Sequence, residues 1–250
     1  MPIARTGLRG SVVVLNLIEC DVLYEDLRAD YVSYGTMFDR YFSQLSMNTG
    51  LPAFHARYYS AIERRLPTPQ RQAVYLITGS KFGAYEDAQW ITELEQWIQQ
   101  AFHVGARLIG VCFGHQIIAQ ALGGKVIKSE KGWGVGVRSL PHLNPAFSSS
   151  LPDQVKLIYS HQDQVVKLPN GATALLGDEF CPFASYTIDK QVLTFQGHPE
   201  FDAVYTRRLL GRRASCMGHD RFEQAMNSLS EDTDSAVVGK MMLDWMTAGN

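Results

Sequence analysis

Residues 107–124 read RLIGVCFGHQIIAQALGG, and they restrict the fold more than any other stretch. The apolar run 108–111 stops at Cys112. A helical pattern with Ile117, Ile118, Ala121 and Leu122 follows at once and ends at Gly123-Gly124. A buried strand that becomes a helix with no intervening loop must bend sharply. Gly110 and Gly114, on either side of the cysteine, supply the room for other chain segments to pass close.

The segments before it follow the same strand–helix alternation. Residues 12–17 read as a strand and 34–45 as a helix with Met37, Phe38, Tyr41, Phe42 and Leu45 on one side. Residues 73–78, AVYLIT, read as a second buried strand ending at Gly79-Ser80. A helix from about Asp87 aligns Trp90, Leu94, Trp97, Ile98 and Ala101 on an apolar face. Beyond Gly124 the texture changes to strand-like pieces, KVIKSEKGWGVGVRSL, VKLIYS, ATALLG, FASYTI and VLTFQG, joined by turns. Helical segments close the chain from about residue 202, the last aligning Val238, Met241, Met242 and Trp245. The expected architecture is α/β: an open, mostly parallel (mixed) sheet flanked by helices, with residues 1–250 forming one domain.

Composition narrows the function. Of 250 residues, 46% are hydrophobic and 19% charged, ample for a packed core. The net charge of −2 provides no field to attract nucleic acid or anionic lipid. No apolar stretch approaches the roughly 20 residues that span a bilayer. VVVLNLI, with Arg5 and Arg9 before it, reads as a first buried strand and not a leader, since Glu19-Cys20-Asp21 follows and no small-residue cleavage site appears. The four cysteines are scattered, which suits a reducing compartment and a cytoplasmic location. Cys20, Cys181 and Cys216 read as small buried hydrophobes. No metal-ligand spacing is present, so no metal or cofactor is expected.

In an open α/β sheet, ligands gather beyond the carboxyl ends of the strands, where Cys112 falls. Gly110-Val-Cys112-Phe-Gly114 is the cysteine counterpart of the nucleophile elbow. The helix after it turns free N–H groups and the positive end of its dipole toward the sulfur, which favours the thiolate. The Phe113 N–H can donate to an oxyanion, with a second donor from the Gly79-Ser80 loop; one such donor is worth about 3–4 kcal/mol in the transition state. Acyl transfer also needs a proton carrier. His198 ends a strand-like run, and Glu200, across Pro199, can fix its tautomer.

GVCFGHQ together with GHPE resembles the class I glutamine amidotransferase family, whose motif is Gly-x-Cys-x-Gly-x-Gln with a distant His-x-Glu. Gly123-Gly124 and YSHQDQV match as well, and the likeness runs from Val12 to about Phe201. The resemblance implies a flavodoxin-like fold and a triad of Cys112, His198 and Glu200. It implies hydrolysis of the γ-amide of glutamine or a related γ-glutamyl compound through a thioester. It also implies an oxyanion hole at Gly79 and Phe113, Gln116 on the substrate side of the elbow helix, and backbone groups of Ser160 and His161 for the α-amino and α-carboxylate end. His161 with Asp163 is a rival proton carrier, although capping and turn hydrogen bonds account for both. His115 reads as capping or packing, and Gly132-Trp133-Gly134 as a tight turn or bulge.

Within the family the chain looks closest to stand-alone γ-glutamyl peptidases and γ-glutamyl-amide hydrolases, and it is similar to the GMP synthase glutaminase domain. Thr78-Gly79-Ser80 replaces that domain's Gly-Gly-Pro, which argues against GMP synthesis itself. Three readings follow: a free-standing γ-glutamyl hydrolase, a glutaminase subunit feeding ammonia to a separate synthase, and a non-catalytic reactive-cysteine sensor resembling the deglycase superfamily. The leaving-group half of the substrate would meet segments 21–35 and 81–86 or the C-terminal helices, with Tyr24, Tyr31, Phe82 and Tyr85 as candidate lining.

Overall fold

Alternate residues of the central strands face opposite sides, and each side meets its own set of helices. The computed structural model describes residues 13–49, 54–144 and 151–248. In order the elements are β1 (Val13–Glu19), α1 (Glu25–Tyr31), α2 (Tyr34–Thr49), β2 (Phe54–Ser60), β3 (Val74–Ile77), α3 (Gln89–His103), β4 (Arg107–Val111), α4 (Phe113–Ala121), β5 (Lys125–Lys128), β6 (Gly134–Pro141), β7 (Gln154–His161), β8 (Asp163–Lys167), β9 (Thr173–Leu176), β10 (Ser185–Ile188), β11 (Val192–Phe195), α5 (Ala203–Met217), α6 (His219–Ser228) and α7 (Ser235–Thr247).

The main sheet has seven strands in the order β2-β1-β3-β4-β11-β10-β9. The five from β2 to β11 run parallel, and β10 is antiparallel to both its neighbours. β5–β8 and β6–β7 form two antiparallel pairs outside it. On one face Leu15, Leu17, Leu76, Ile109, Val111, Leu193 and Phe195 pack with α2 and α7 through Phe38, Phe42, Val238 and Met242. On the other, Ile18, Tyr75, Ile77, Leu108 and Val192 pack with α3 and α4 through Trp90, Leu94, Ile117 and Ile118. The period-two pattern of the strands and the 3.6-residue pattern of the helices thus meet across both layers. A satellite core joins α1, α2 and α5 through Leu27, Met37, Tyr205 and Leu209.

The expected α/β, mostly parallel sheet is present. β2 carries little periodic signal: it is an edge strand whose residues are half-buried or exposed. α1 is a single short helix. The predicted strand run 125–140 divides into β5 and β6 around a turn at Gly132, whose φ is +80°. Cys20 and Cys181 are buried as expected, but Cys216 is exposed, because it lies on the solvent side of α5. Val12, Arg5 and Arg9, on which part of the first-strand and leader readings fall, lie outside the described residues. Among the described residues no helix is long and apolar enough to cross a membrane.

Candidate active site

β3, β4 and β11 are adjacent and parallel, so their carboxyl ends fall together. After β4, Cys112 takes φ 54° and ψ −104° before α4 begins. Such backbone costs about 1–3 kcal/mol for a residue with a side chain, and the surroundings hold it. Cys112 N–H donates to Phe195 O at 2.8 Å, Gly114 N–H to Thr78 O at 3.1 Å, and Gln116 N–H to Cys112 O at 3.1 Å. The Phe113 N–H is among the first-turn donors that have no intrahelical acceptor. The two elbow glycines are required sterically. A Cβ on Gly110 would lie 2.6 Å from the Gly114 carbonyl carbon.

Gly79, two residues beyond β3, touches both other pieces. A Cβ there would lie 3.6 Å from Cys112 Cβ and 3.0 and 3.9 Å from His198 Cε1 and Nε2. The loop after β3, the thiol and the imidazole therefore meet at one point. His198 N–H donates to Ile158 O at 2.8 Å. Its Nδ1 lies 2.7 Å from Glu200 Oε1. A carboxylate accepts, so Nδ1 carries the hydrogen and Nε2 is left for the sulfur. The Phe201 ring stacks on the imidazole with centroids 3.8 Å apart and 9° between planes.

Burial is the largest single influence on His198 and disfavours its charged form. The Glu200 carboxylate, Coulombic interaction with Cys112 and hydrogen bonds to both outweigh it and raise His198 to about 10. The sign of the consequence is fixed. Raised from about 6.5 in an unfolded chain, His198 binds more protons in the native state across the interval between the two values. Its contribution to stability is full below about pH 6.5 and is lost as pH climbs toward about 10. Urea midpoints at pH 6, 8 and 9.5 are expected to fall in the wild type and to fall less in Glu200→Gln, which lacks the raising charge. Parallel decline of the two proteins would contradict the assignment.

Cys112 is 5% exposed and borders a cavity of about 220 Å³ with Phe82, Tyr85, Gln116, Ser160, His161 and Arg213. That is below the roughly 300–1,000 Å³ of drug-sized sites, a size for a small, amino-acid-like ligand. A larger cleft of about 720 Å³ lies at the opposite ends of the strands, among Arg71, His103, Arg107 and Lys190. Its lining includes no cysteine, serine or threonine, and Arg107 is occupied there with the α7 carbonyls of Trp245 and Met246.

The sequence candidates Gln116, Ser160 and His161 therefore all reach the Cys112 cavity. Gln116 Nε2 donates to Asp163 O at 2.8 Å and Gln196 Oε1 at 3.0 Å, leaving its own carbonyl oxygen to offer. The rival dyad is not assembled. His161 Nδ1 donates to the Asp163 backbone oxygen at 3.0 Å, while the Asp163 carboxylate accepts from Tyr85 at 3.0 Å. Burial lowers His161 to about 4, so it is neutral. His115 packs, its Nδ1 2.9 Å from Thr194 Oγ1, and burial lowers it to about 3. Of the aromatic lining candidates, Phe82 and Tyr85 border the cavity. Tyr24 is exposed and Tyr31 packs on Tyr205.

Arg213 escaped the sequence reading, and Trp133, read there as part of a tight turn or bulge, also borders the cavity. Arg213 is one of four arginines on α5, and nothing in the helical pattern separates it from Arg207, Arg208 or Arg212. Its place at the site is a product of tertiary packing. Among the described residues no group of three or more His, Cys, Asp or Glu is arranged to hold a metal ion.

A strained cysteine elbow at the carboxyl ends of a parallel sheet, facing a histidine–carboxylate pair, defines a class of α/β proteins with a cysteine at a strand–helix joint. The model for "Glutamine amidotransferase class-I" matches residues 69–208. The chain belongs to the class I glutamine amidotransferase family. It is 36% identical over 135 residues to γ-glutamyl peptidase 3 of Arabidopsis thaliana, covering 51% of this chain and 54% of that protein. It is 27% identical over 184 residues to the glutamine-hydrolyzing GMP synthase of Streptococcus pneumoniae, covering 72% of this chain and 34% of that protein. The chain spans about half the length of the γ-glutamyl peptidases it matches. A glutamine amidotransferase from Thermotoga maritima has the same fold, with a TM-score of 0.71 at 16% identity, covering 95% of this chain and 98% of that one.

Proposed function

We propose that the protein hydrolyses the γ-amide bond of glutamine or of a γ-glutamyl amine, anilide or peptide, with Cys112 as nucleophile, His198 as base and acid, and Glu200 as its orienter. The observation that carries this is the meeting of Cys112 and the Glu200-bound His198 against Gly79. In the first step Sγ adds to the amide carbon, and the oxyanion is met by the N–H groups of Phe113 and Gly79. The C–N bond then breaks as His198 gives its proton to the leaving nitrogen, contributing roughly 10²–10⁴-fold. Water, deprotonated by His198, cleaves the thioester to glutamate and restores the thiolate. Gln116 and the backbone at Ser160 and His161 would hold the amino-acid end of the glutamyl group. The reaction needs no cofactor, and a cytoplasmic location suits a free thiolate.

Glutamate release from glutamine, a γ-glutamyl anilide and a γ-glutamyl dipeptide is the direct test. Turnover of at least one is expected, together with a mass adduct on Cys112 after incubation with a glutamine-derived diazo-ketone. Neither release nor adduct would end the reading. The likeness to part of a GMP synthase favours one second reading, a glutaminase that supplies ammonia to a separate synthase. Activity that rises only on mixing with such a partner would select it.

A further inference from the structure

The arginines of α5 divide by surroundings. Arg208 pairs with Asp26 and Asp30, and Arg212 with Asp26. Arg213, half-buried, donates from Nη1 to Ser160 Oγ at 2.8 Å and to Ser160 O at 3.2 Å. Its guanidinium carbon lies 5.6 Å from the centre of the Trp133 ring. Among the described residues no carboxylate pairs with it. Of the other charges around the cavity, Lys128 on β5 is exposed and also forms no ion pair among these residues, and the rest are occupied. Lys81 meets Asp21 at 2.6 Å, Glu86 Oε1 accepts from Gly83 N–H at 2.6 Å, and the Asp163 carboxylate holds Tyr85.

Arg213 borders the Cys112 cavity and also a narrow recess formed by Tyr34, Gly79, Cys112, His198 and Phe201. A guanidinium has five N–H donors in a planar fork, and the two bonds to Ser160 use only Nη1. The remaining donors form a fixed cationic fork, held by Ser160 and Trp133 before any ligand arrives, so little ordering is left to binding. Such a fork matches a carboxylate.

We propose that Arg213 is a specificity residue that binds a carboxylate of the substrate, an inference that rests on the γ-glutamyl reading above. Two carboxylates share this chemistry: the α-carboxylate of the glutamyl group and the C-terminal carboxylate of a peptidic leaving group. Both lie within a few bonds of the scissile amide.

The first test needs no turnover. Iodoacetate and iodoacetamide differ by one charge and react alike: Sγ bonds to the methylene carbon and iodide leaves. Their alkylation rates are read by mass on the Cys112 peptide, with free N-acetylcysteine in the same solution as reference. In Arg213→Met, whose side chain keeps an apolar stem against Trp133, the iodoacetate-to-iodoacetamide ratio at Cys112 is expected to fall about tenfold or more, as loss of a charge-assisted hydrogen bond implies. Arg213→Lys should restore it in part. A merely structural arginine would slow both reagents alike, and an unchanged ratio overturns the proposal.

The second test locates the carboxylate. Equal loss of kcat/KM by Arg213→Met on γ-glutamyl-p-nitroanilide, γ-glutamylglycine and γ-glutamylglycine amide assigns the α-carboxylate. Loss on γ-glutamylglycine alone assigns the leaving group. If the wild type hydrolyses none of them, the γ-glutamyl reading fails while the alkylation ratio still reports on Arg213.

Discussion

Cys112→Ala is expected to lower kcat/KM for glutamate release by about 10⁴-fold or more, because a thioester route cannot begin without the sulfur and the residual rate comes only from binding and oxyanion contacts. His198→Asn should cost a similar factor, and the double variant little beyond either single one. Groups that act in one step are not additive, since removing either leaves the other nothing to do. Glu200→Gln should be milder, about 10–100-fold less damaging than loss of the nucleophile, for an amide oxygen can still receive the Nδ1 hydrogen. Its Oε1 is the atom that fixes the ring at 2.7 Å, while Phe201 stacked on the imidazole preserves its plane. Single-turnover kinetics with mass detection of the acylated Cys112 peptide separates loss of acylation from loss of release. Substantial hydrolysis by a clean Cys112→Ala preparation, or losses that multiply in the double variant, would remove the mechanism.

The elbow and its partner pair were legible because their chemistry is compressed into contiguous residues. Gly110, Cys112 and Gly114 answer one steric demand, and His198 and Glu200 are two residues apart in one turn. The central strands were legible because both faces are buried, so 108–111 reads as a continuous apolar run and 192–195 is interrupted only by Thr194. β2 was not, since Arg57 and Tyr58 on an edge strand are exposed. Asp163 looked like the partner of His161 because the two are only two residues apart in sequence. In the fold a backbone oxygen takes that role, and the carboxylate turns to Tyr85 from a distant loop. Arg213 marks the same limit: four similar side chains on one helix are sorted only by what the tertiary structure sets beside each.

Gly114→Ala is expected to destabilise the fold by about 3 kcal/mol or more, at the upper end of overpacking costs. The reason is the contact between α4 and β3 that shapes the elbow. Gly114 N–H donates to Thr78 O at 3.1 Å, which draws the first turn of α4 against the end of the strand. A Cβ on Gly114 would fall on the Ile77 carbonyl oxygen and within 2.7 Å of its carbon. Both partners are backbone, and Ile77 is held in the sheet between β1 and β4. Relief must come from moving α4, which carries the Phe113 N–H and the Cys112 carbonyl bond with it. A loss of that size lowers Tm by about 6–12 °C in a chain of this length, and activity should fall further than stability alone dictates. Gly211→Ala on α5 is the opposing control. A Cβ there meets nothing within 4 Å, and alanine in a helix interior should stabilise by about 0.5–1 kcal/mol. Thermal melts of the two variants side by side decide the matter, and a Gly114→Ala protein that melts with the wild type would mean the elbow is not packed as tightly as its bonds imply.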